Sequence, residues 1–155
     1  MLDELSQQIM QELQEDARQS FRYIGRKLGV AEGTIRNRVR NLLKKKAMKL
    51  QAVLDPQKFG FEFVCIMGLE VTLSERQEVY KVLAKSPNVY YLAGCTGYFD
   101  MIAILLFRKA QEFDDFVKDT IANIPGVIKT QTFVNMHIAK SPWTDSLDLE
   151  ALLKS

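Results

Sequence analysis

The sequence predicts an α+β chain of two modules, an N-terminal winged helix-turn-helix and a C-terminal ferredoxin-like βαββαβ sandwich. Three observations predict it. Apolar residues recur at helical spacing up to about residue 46, then regroup into strand-like runs that alternate with two amphipathic helices. The charge is split: residues 1–60 hold twelve Lys/Arg against seven Asp/Glu, and residues 61–155 hold nine against twelve. A weak repeat of 38 positions lays "VCIMGLEV" (64–71) over "IAILLFRK" (102–109), and "SPNV" (86–89) over "IPGV" (124–127). Two βαβ halves of that kind build four antiparallel strands with two helices on one face.

The first module is expected over residues 1–54. In "LDELSQQIMQELQEDA" Leu2, Leu5, Ile9 and Leu13 form a helical stripe. Ser20 caps a second helix, "FRYIGRKL", with Tyr23, Ile24 and Leu28 turned inward. Gly29 supplies the positive φ of a tight turn. A third helix starts near Glu32 and runs to about Lys46. "MKLQAVLD" then reads as a short β wing through Met48, Leu50 and Val53. Residues 55–61 are a linker punctuated by Pro56 and Gly60.

The second module is expected over residues 62–140. "FVCIMGLEV" is a strand, "SERQEVYKVLAKS" a helix, and "NVYYLAGCTG" and "FDMIAILLF" two strands. "AQEFDDFVKDTIANI" is a helix with Phe113, Phe116 and Val117 inward, and "VIKTQTFVNMHI" the last strand. One sheet face stays uncovered in such a module, so a second copy of the chain is expected to cover it. Residues 141–155, with Trp143 and four leucines, form an acidic tail. Cys65 and Cys95 read as buried free thiols within apolar runs.

Composition narrows the function. No window approaches the ~18 apolar residues of a membrane span, and the start lacks the pattern of a signal peptide, so a cytoplasmic protein with no membrane partner is expected. One histidine and no Cys-x-x-Cys argue against a metal site; no cofactor is expected. Within residues 18–49, eleven basic side chains accompany a single acid, Glu32. A solvated helix intersperses glutamates among its cations. Their scarcity points to a polyanion, and the helix-turn-helix order points to double-stranded DNA.

A helical wheel of the third helix sorts its face. Ile35, Val39, Leu42 and Leu43 fall within an arc of about 100°, the buried stripe. Asn37, Arg40, Asn41 and Lys44 lie opposite with Thr34 beside them, and Arg36 and Arg38 flank the stripe. Thr34, Asn37 and Arg40 are the candidate base readers; Arg36, Arg38 and the lysines are the candidate phosphate contacts. Arg18 and Arg22 complete the DNA-binding set.

The chain resembles the Lrp/AsnC (leucine-responsive/asparagine regulator) family of transcription factors over essentially its whole length. The resemblance is carried by "RQSFRYIGRKLGVAEGTIRNRVRNLLKKKAM", by Phe59-Gly60, and by "GCTGYFDM" between the two central strands. It implies dimers formed through the second module, assembly to octamers, and a small effector, typically an amino acid, held between dimers near a Gly-x-Tyr/Phe-Asp turn. That turn is here Gly97, Tyr98, Phe99 and Asp100, and Thr130 and Thr132 match a threonine-rich position lining the same cleft. Read from the residues, Gly97 admits a ligand to the backbone and Asp100 accepts a bond from an ammonium group; equally, the stretch is a hairpin turn with a capping aspartate. The chain departs from the pattern where Ala31 replaces a capping Ser, where Gly25 replaces a helical Ala at a cost of ~1 kcal/mol, and where the wing lacks its usual glycine.

Two other readings stand beside a regulator. Tetrapyrrole decarboxylases share the architecture but handle carboxylates with histidines, whereas His137 is alone and sits on an alternating strand. Glu112, Asp114 and Asp115 belong to the solvated face of their helix. No enzyme is expected. The third reading is an effector-independent DNA-binding assembly protein.

Overall fold

A computed structural model describes residues 2–141, which form two compact units, residues 2–53 and residues 54–141. No helix among the described residues is long and apolar enough to cross a membrane.

The first unit holds α1 (Glu4–Glu15), α2 (Phe21–Lys27) and α3 (Glu32–Lys44). Asp3 caps α1 by accepting the Ser6 N–H at 3.2 Å, and Ser20 caps α2 by accepting the Tyr23 N–H at 3.1 Å. Ile9, Leu13, Ile24, Ile35 and Val39 form the core, with Leu5, Phe21, Leu28, Val30 and Met48 packed on it. Three stripe residues differ from expectation. Leu2 precedes the helix and is exposed. Tyr23 is 48% exposed, while Phe21, two residues earlier in α2, packs on the core. Leu43 is exposed because Leu42 points at the core.

α3 stops at Lys44, two residues early. The Ala47 N–H bonds back to the Leu42 carbonyl at 2.9 Å and the Lys46 N–H to that of Leu43 at 3.0 Å. This is a Schellman ending whose left-handed position is Lys46, at φ 54°. Gly25 is also better placed than propensity suggests. A Cβ there would lie 2.7 Å from the Val30 carbonyl oxygen, so the close turn between α2 and α3 requires a residue without one.

The wing is absent. Residues 48–54 form no strand, and Leu50, Val53 and Leu54 are exposed. Met48, Leu50 and Val53 suggested a strand by their apolar character, but a strand needs a ladder partner, and no described residue pairs with them. Pro56–Phe59 is a single 3-10 turn capped by Asp55.

The second unit runs β1 (Phe63–Val71), α4 (Arg76–Lys85), β2 (Val89–Gly94), β3 (Met101–Phe107), α5 (Ala110–Asp119) and β4 (Val127–Val134). The sheet is antiparallel, in the order β2-β3-β1-β4. Cys65, Met67, Leu69 and Val71 share one face with Met101, Ala103, Leu105 and Phe107, and pack on Val79 and Leu83 of α4 and Phe116 of α5. The opposite face presents Ile66, Ile102, Ile104 and Leu106 with the exposed Tyr91 and Phe133 at its margins. Neither helix covers it.

β4 ends at Val134, so His137 lies beyond the strand and is exposed. Cys65 is buried in β1 as expected, whereas Cys95 sits half-buried after β2 ends. Burial pushes the Cys65 thiol up to about 11. Trp143 and the rest of the tail past residue 141 lie outside the described residues.

Lys46→Gly removes the steric cost of a left-handed L-residue and is expected to raise stability by about 1 kcal/mol. A urea melt reads this; an unchanged or lower midpoint contradicts the Schellman assignment.

Candidate nucleic-acid interface and effector turn

The buried stripe of α3 is Ile35, Val39 and Leu42. Its burial turns Thr34, Arg36, Asn37, Arg40, Asn41 and Lys44 outward, all exposed. Arg40 donates to the Asn37 carboxamide oxygen at 2.9 Å, which sets two of the three candidate base readers side by side. Arg36 pairs with Glu32 one turn back at 2.6 Å and lies over the Phe21 ring at 5.7 Å. The helix opens at Ala31 with no side-chain cap, so only backbone bonds close its first turn.

Arg38 goes elsewhere. Its guanidinium pairs with the Asp3 carboxylate and donates to the Ser6 hydroxyl at 3.3 Å, both on the α1 side of the unit. The basic stretch is therefore less bare than its own composition suggests. α1 and its flanks supply acids to it: Asp16 meets Arg18 at 3.0 Å and Glu12 meets Lys27 at 2.7 Å. Those contacts raise the pKa of Arg18 and of Lys27, each first through the hydrogen bond. Asp3 is held below the usual carboxylate range by its hydrogen bond with Ser6 and then by Arg38. Arg22, Arg26, Arg40, Lys44, Lys45, Lys46 and Lys49 have no carboxylate partner among the described residues. Arg26 was missed by sequence reasoning. It lies one helical turn after Arg22 and shares its exposed side, a signal that a wheel of α2 contains.

The β2–β3 connection carries the second candidate site. Asp100 is committed to the fold: its Oδ2 accepts the Val71 N–H at 2.8 Å and its own N–H donates to Leu69 at 2.9 Å. Its carbonyl accepts the Cys95 N–H at 3.0 Å and an Arg76 N–H at 2.7 Å. One carboxylate oxygen of Asp100 is thus taken up by a backbone N–H of β1, a long-range tie and not a cap within its own turn. Gly97 has φ 123°, which favours glycine. The Phe99 ring fills the place of a side chain at Gly68, where a Cβ would lie 2.6 Å from the ring. Tyr98, exposed, stands edge-on to Phe99 at 4.9 Å and receives a hydrogen bond from Lys129 at 3.1 Å. That bond raises the Lys129 pKa, with the nearby Tyr98 and Glu70 charges adding to it.

Thr130 and Thr132 do not join this group within one chain. Thr130 pairs with Leu69 and Thr132 with Met67, so both point to the helix-covered face. Phe99 and Lys129 lie on the other, since Phe99 covers Gly68 and Lys129 pairs with Glu70. Adjacent residues of a strand face opposite sides, so one position of register decides the face, and the sequence alone did not fix which strand positions were opposite. Arg76 was missed too: its partners are 19 and 24 positions away, at the Cys95 and Asp100 carbonyls. It lines a cavity beside the turn with Gln77, Tyr80, Gly94, Cys95 and Thr96. Among the described residues no group of three His, Cys, Asp or Glu could hold a metal ion.

A three-helix domain with an exposed basic helix, followed by a βαββαβ sandwich, defines the class of two-module regulators. The profile of the AsnC-type helix-turn-helix domain matches residues 2–43, and that of the Lrp/AsnC ligand binding domain matches residues 64–142. The chain belongs to the Lrp/AsnC family. It is similar to an uncharacterized HTH-type transcriptional regulator of Pyrococcus furiosus, 34% identical over 87 residues, which are 56% of this chain and 58% of that protein. The match thus spans little more than half of the relative's length. In fold it is similar to E. coli AsnC, with a TM-score of 0.87 at 17% identity over 91% of this chain and 96% of that one. It is also similar to a transcriptional regulator of Neisseria meningitidis solved as an L-Met complex, with a TM-score of 0.86 at 22% identity over 98% and 99% of the two chains. The family and these relatives are transcriptional regulators, not enzymes.

Proposed function

We propose that the chain is a cytoplasmic transcriptional regulator that reads double-stranded DNA with α3 and answers to a small effector at its second unit. The observation that carries the DNA reading is the outward face of α3, where Thr34, Asn37, Arg40, Asn41 and Lys44 are exposed and none has a carboxylate partner among the described residues. Arg40 and Asn37 read base edges; Lys44, Arg36, Arg22 and Arg18 hold phosphates. Arg36 and Arg18 then exchange their carboxylates for phosphates on binding. Six to eight such contacts make affinity fall on the order of 10³-fold between 50 and 200 mM salt.

The effector reading rests on the family's ligand-binding domain and on the open turn at Gly97 and Tyr98. The similar regulator of Neisseria meningitidis carries L-Met, so an amino acid is the ligand class favoured. With Asp100 largely engaged and the threonines on the other face, a complete site needs more than one chain, which fits a ligand held between subunits. The uncovered apolar sheet face supports a dimer, assembling further to an octamer, with a second copy over Ile66, Ile102 and Ile104.

Three measurements test these points. In selection from random duplexes, wild type enriches a motif, and Arg40→Ala binds it about 1–3 kcal/mol more weakly and loses preference at one base position. No enrichment by wild type sinks the reading. In a thermal-shift screen of amino acids including L-methionine, a true effector at 100 times its dissociation constant stabilises by about 2.7 kcal/mol; no shift with any of them removes the amino-acid assignment. Ile104→Asp is expected to sediment as a monomer with its secondary structure intact, and a monomeric wild type contradicts the dimer.

A further inference from the structure

Arg38 turns back across its own unit. Its side chain is 38% exposed, paired with Asp3 and donating to Ser6, which is itself buried. Asp3 has a second task. Its Oδ1 accepts the Ser6 N–H and caps α1, while its Oδ2 holds the guanidinium. One carboxylate therefore closes the first turn of α1 and grips the middle of α3. Asn41, on the next turn of α3, and Lys45, at its C-terminal cap, line the groove beside this contact. A shift of α1 against α3 at Asp3 moves the face that carries Asn41.

A phosphate role for Arg38 conflicts with this geometry. The Arg36–Glu32 and Arg18–Asp16 pairs are local and can part without moving a helix, whereas Arg38 reaching a phosphate would leave Asp3 and Ser6 and release α1 from α3. We propose that Arg38 is a positioning residue: with Asp3 it locks α1 against α3 and so sets the pose in which α3 meets DNA, without itself neutralising a phosphate. This rests on the DNA reading above.

The test uses the full chain and a random-sequence duplex of about 30 base pairs, with affinity followed by fluorescence anisotropy as salt is raised. The variants are Asp3→Asn, Arg38→Ala and the pair together. Asparagine keeps the cap on α1, so Asp3→Asn removes the ion pair and spares the helix. Each single variant is expected to bind about fivefold more weakly. The double variant is expected to be no weaker than either single, because both remove one shared contact. The slope of affinity against salt stays that of wild type.

Phosphate contact predicts the opposite pattern. Asp3→Asn then tightens binding by releasing Arg38 and deleting a negative charge, and Arg38→Ala lowers the slope by about one. Either result overturns the inference. Unchanged affinity in both singles overturns it too, leaving the pair a stability contact only. If Arg38→Ala does not fold by thermal melting, Asp3→Asn decides alone. A wild type that binds no duplex even at low salt overturns the DNA reading and this inference with it, whereas failure of the variants alone leaves that reading standing.

Discussion

The DNA-facing half of the molecule depends on one constraint, the burial of the α3 stripe Ile35, Val39 and Leu42, the first two against Ile9, Leu13 and Ile24. Ile9, Ile24 and Ile35 are wholly removed from solvent, and each such burial contributes roughly 1.5–3 kcal/mol. A unit this small has few others to call on. Burying that stripe fixes the rotation of α3 about its axis, and with it which side chains look outward. No basic residue needs its own support for the face to form. The cations occupy positions the core leaves over, and the exposed carboxylate pairs contribute under ~1 kcal/mol apiece.

The same logic places the Gly97–Asp100 turn. The face of the sheet that packs on α4 and α5 is set by Cys65, Met67, Leu69 and Val71, and period-two geometry consigns Gly68 and Glu70 to the other side. Phe99 lies on Gly68 because that is where a side chain is missing. Lys129 reaches both Tyr98 and Glu70 because it pairs with Glu70 across the strands. The turn is thus seated by β1 from below, by β4 from the side and by Arg76 of α4 from behind.

Legibility in the sequence followed the range of the interactions. The helices of the first unit and the order of the second came through because amphipathic period is a local signal, as at β3, whose Met101–Phe107 alternates strictly between buried and half-buried. β1 was legible to the residue. Tyr23 and Leu43 were misplaced because a stripe about 100° wide leaves its edge residues undecided until a neighbouring helix arrives. The wing failed for a different reason: the apolar residues Met48, Leu50 and Val53 state what a strand would bury but supply no partner. In the candidate sites the outward residues of α3 were readable. Arg38's bond to Asp3 was not, since it spans 35 positions, nor was the division of Thr130 and Thr132 from Phe99, which depends on strand register.

Asp100 is tied into the fold at three of its polar groups, which leaves one carboxylate oxygen uncommitted among the described residues. It makes contacts through its amide, its carbonyl and one carboxylate oxygen, to Leu69, Cys95, Arg76 and Val71. Losing that acceptor would strand the Val71 N–H, at about 1–3 kcal/mol if it stays buried. Arg76 extends the same network, with its Nε buried and without a partner among the described residues. Displacing Asp100 therefore disturbs β1, β2 and α4 together. A ligand held at the Gly97 backbone or the Tyr98 hydroxyl, as proposed, would act on the rim of this network, where glycine leaves the chain free, and the polar ties behind the rim would carry a displacement into β1, the end of β2 and α4. Its free-energy effect is bounded by the difference in its affinity for the two arrangements of the turn, so the stiffness of Asp100 and Arg76 is what gives such a difference somewhere to register.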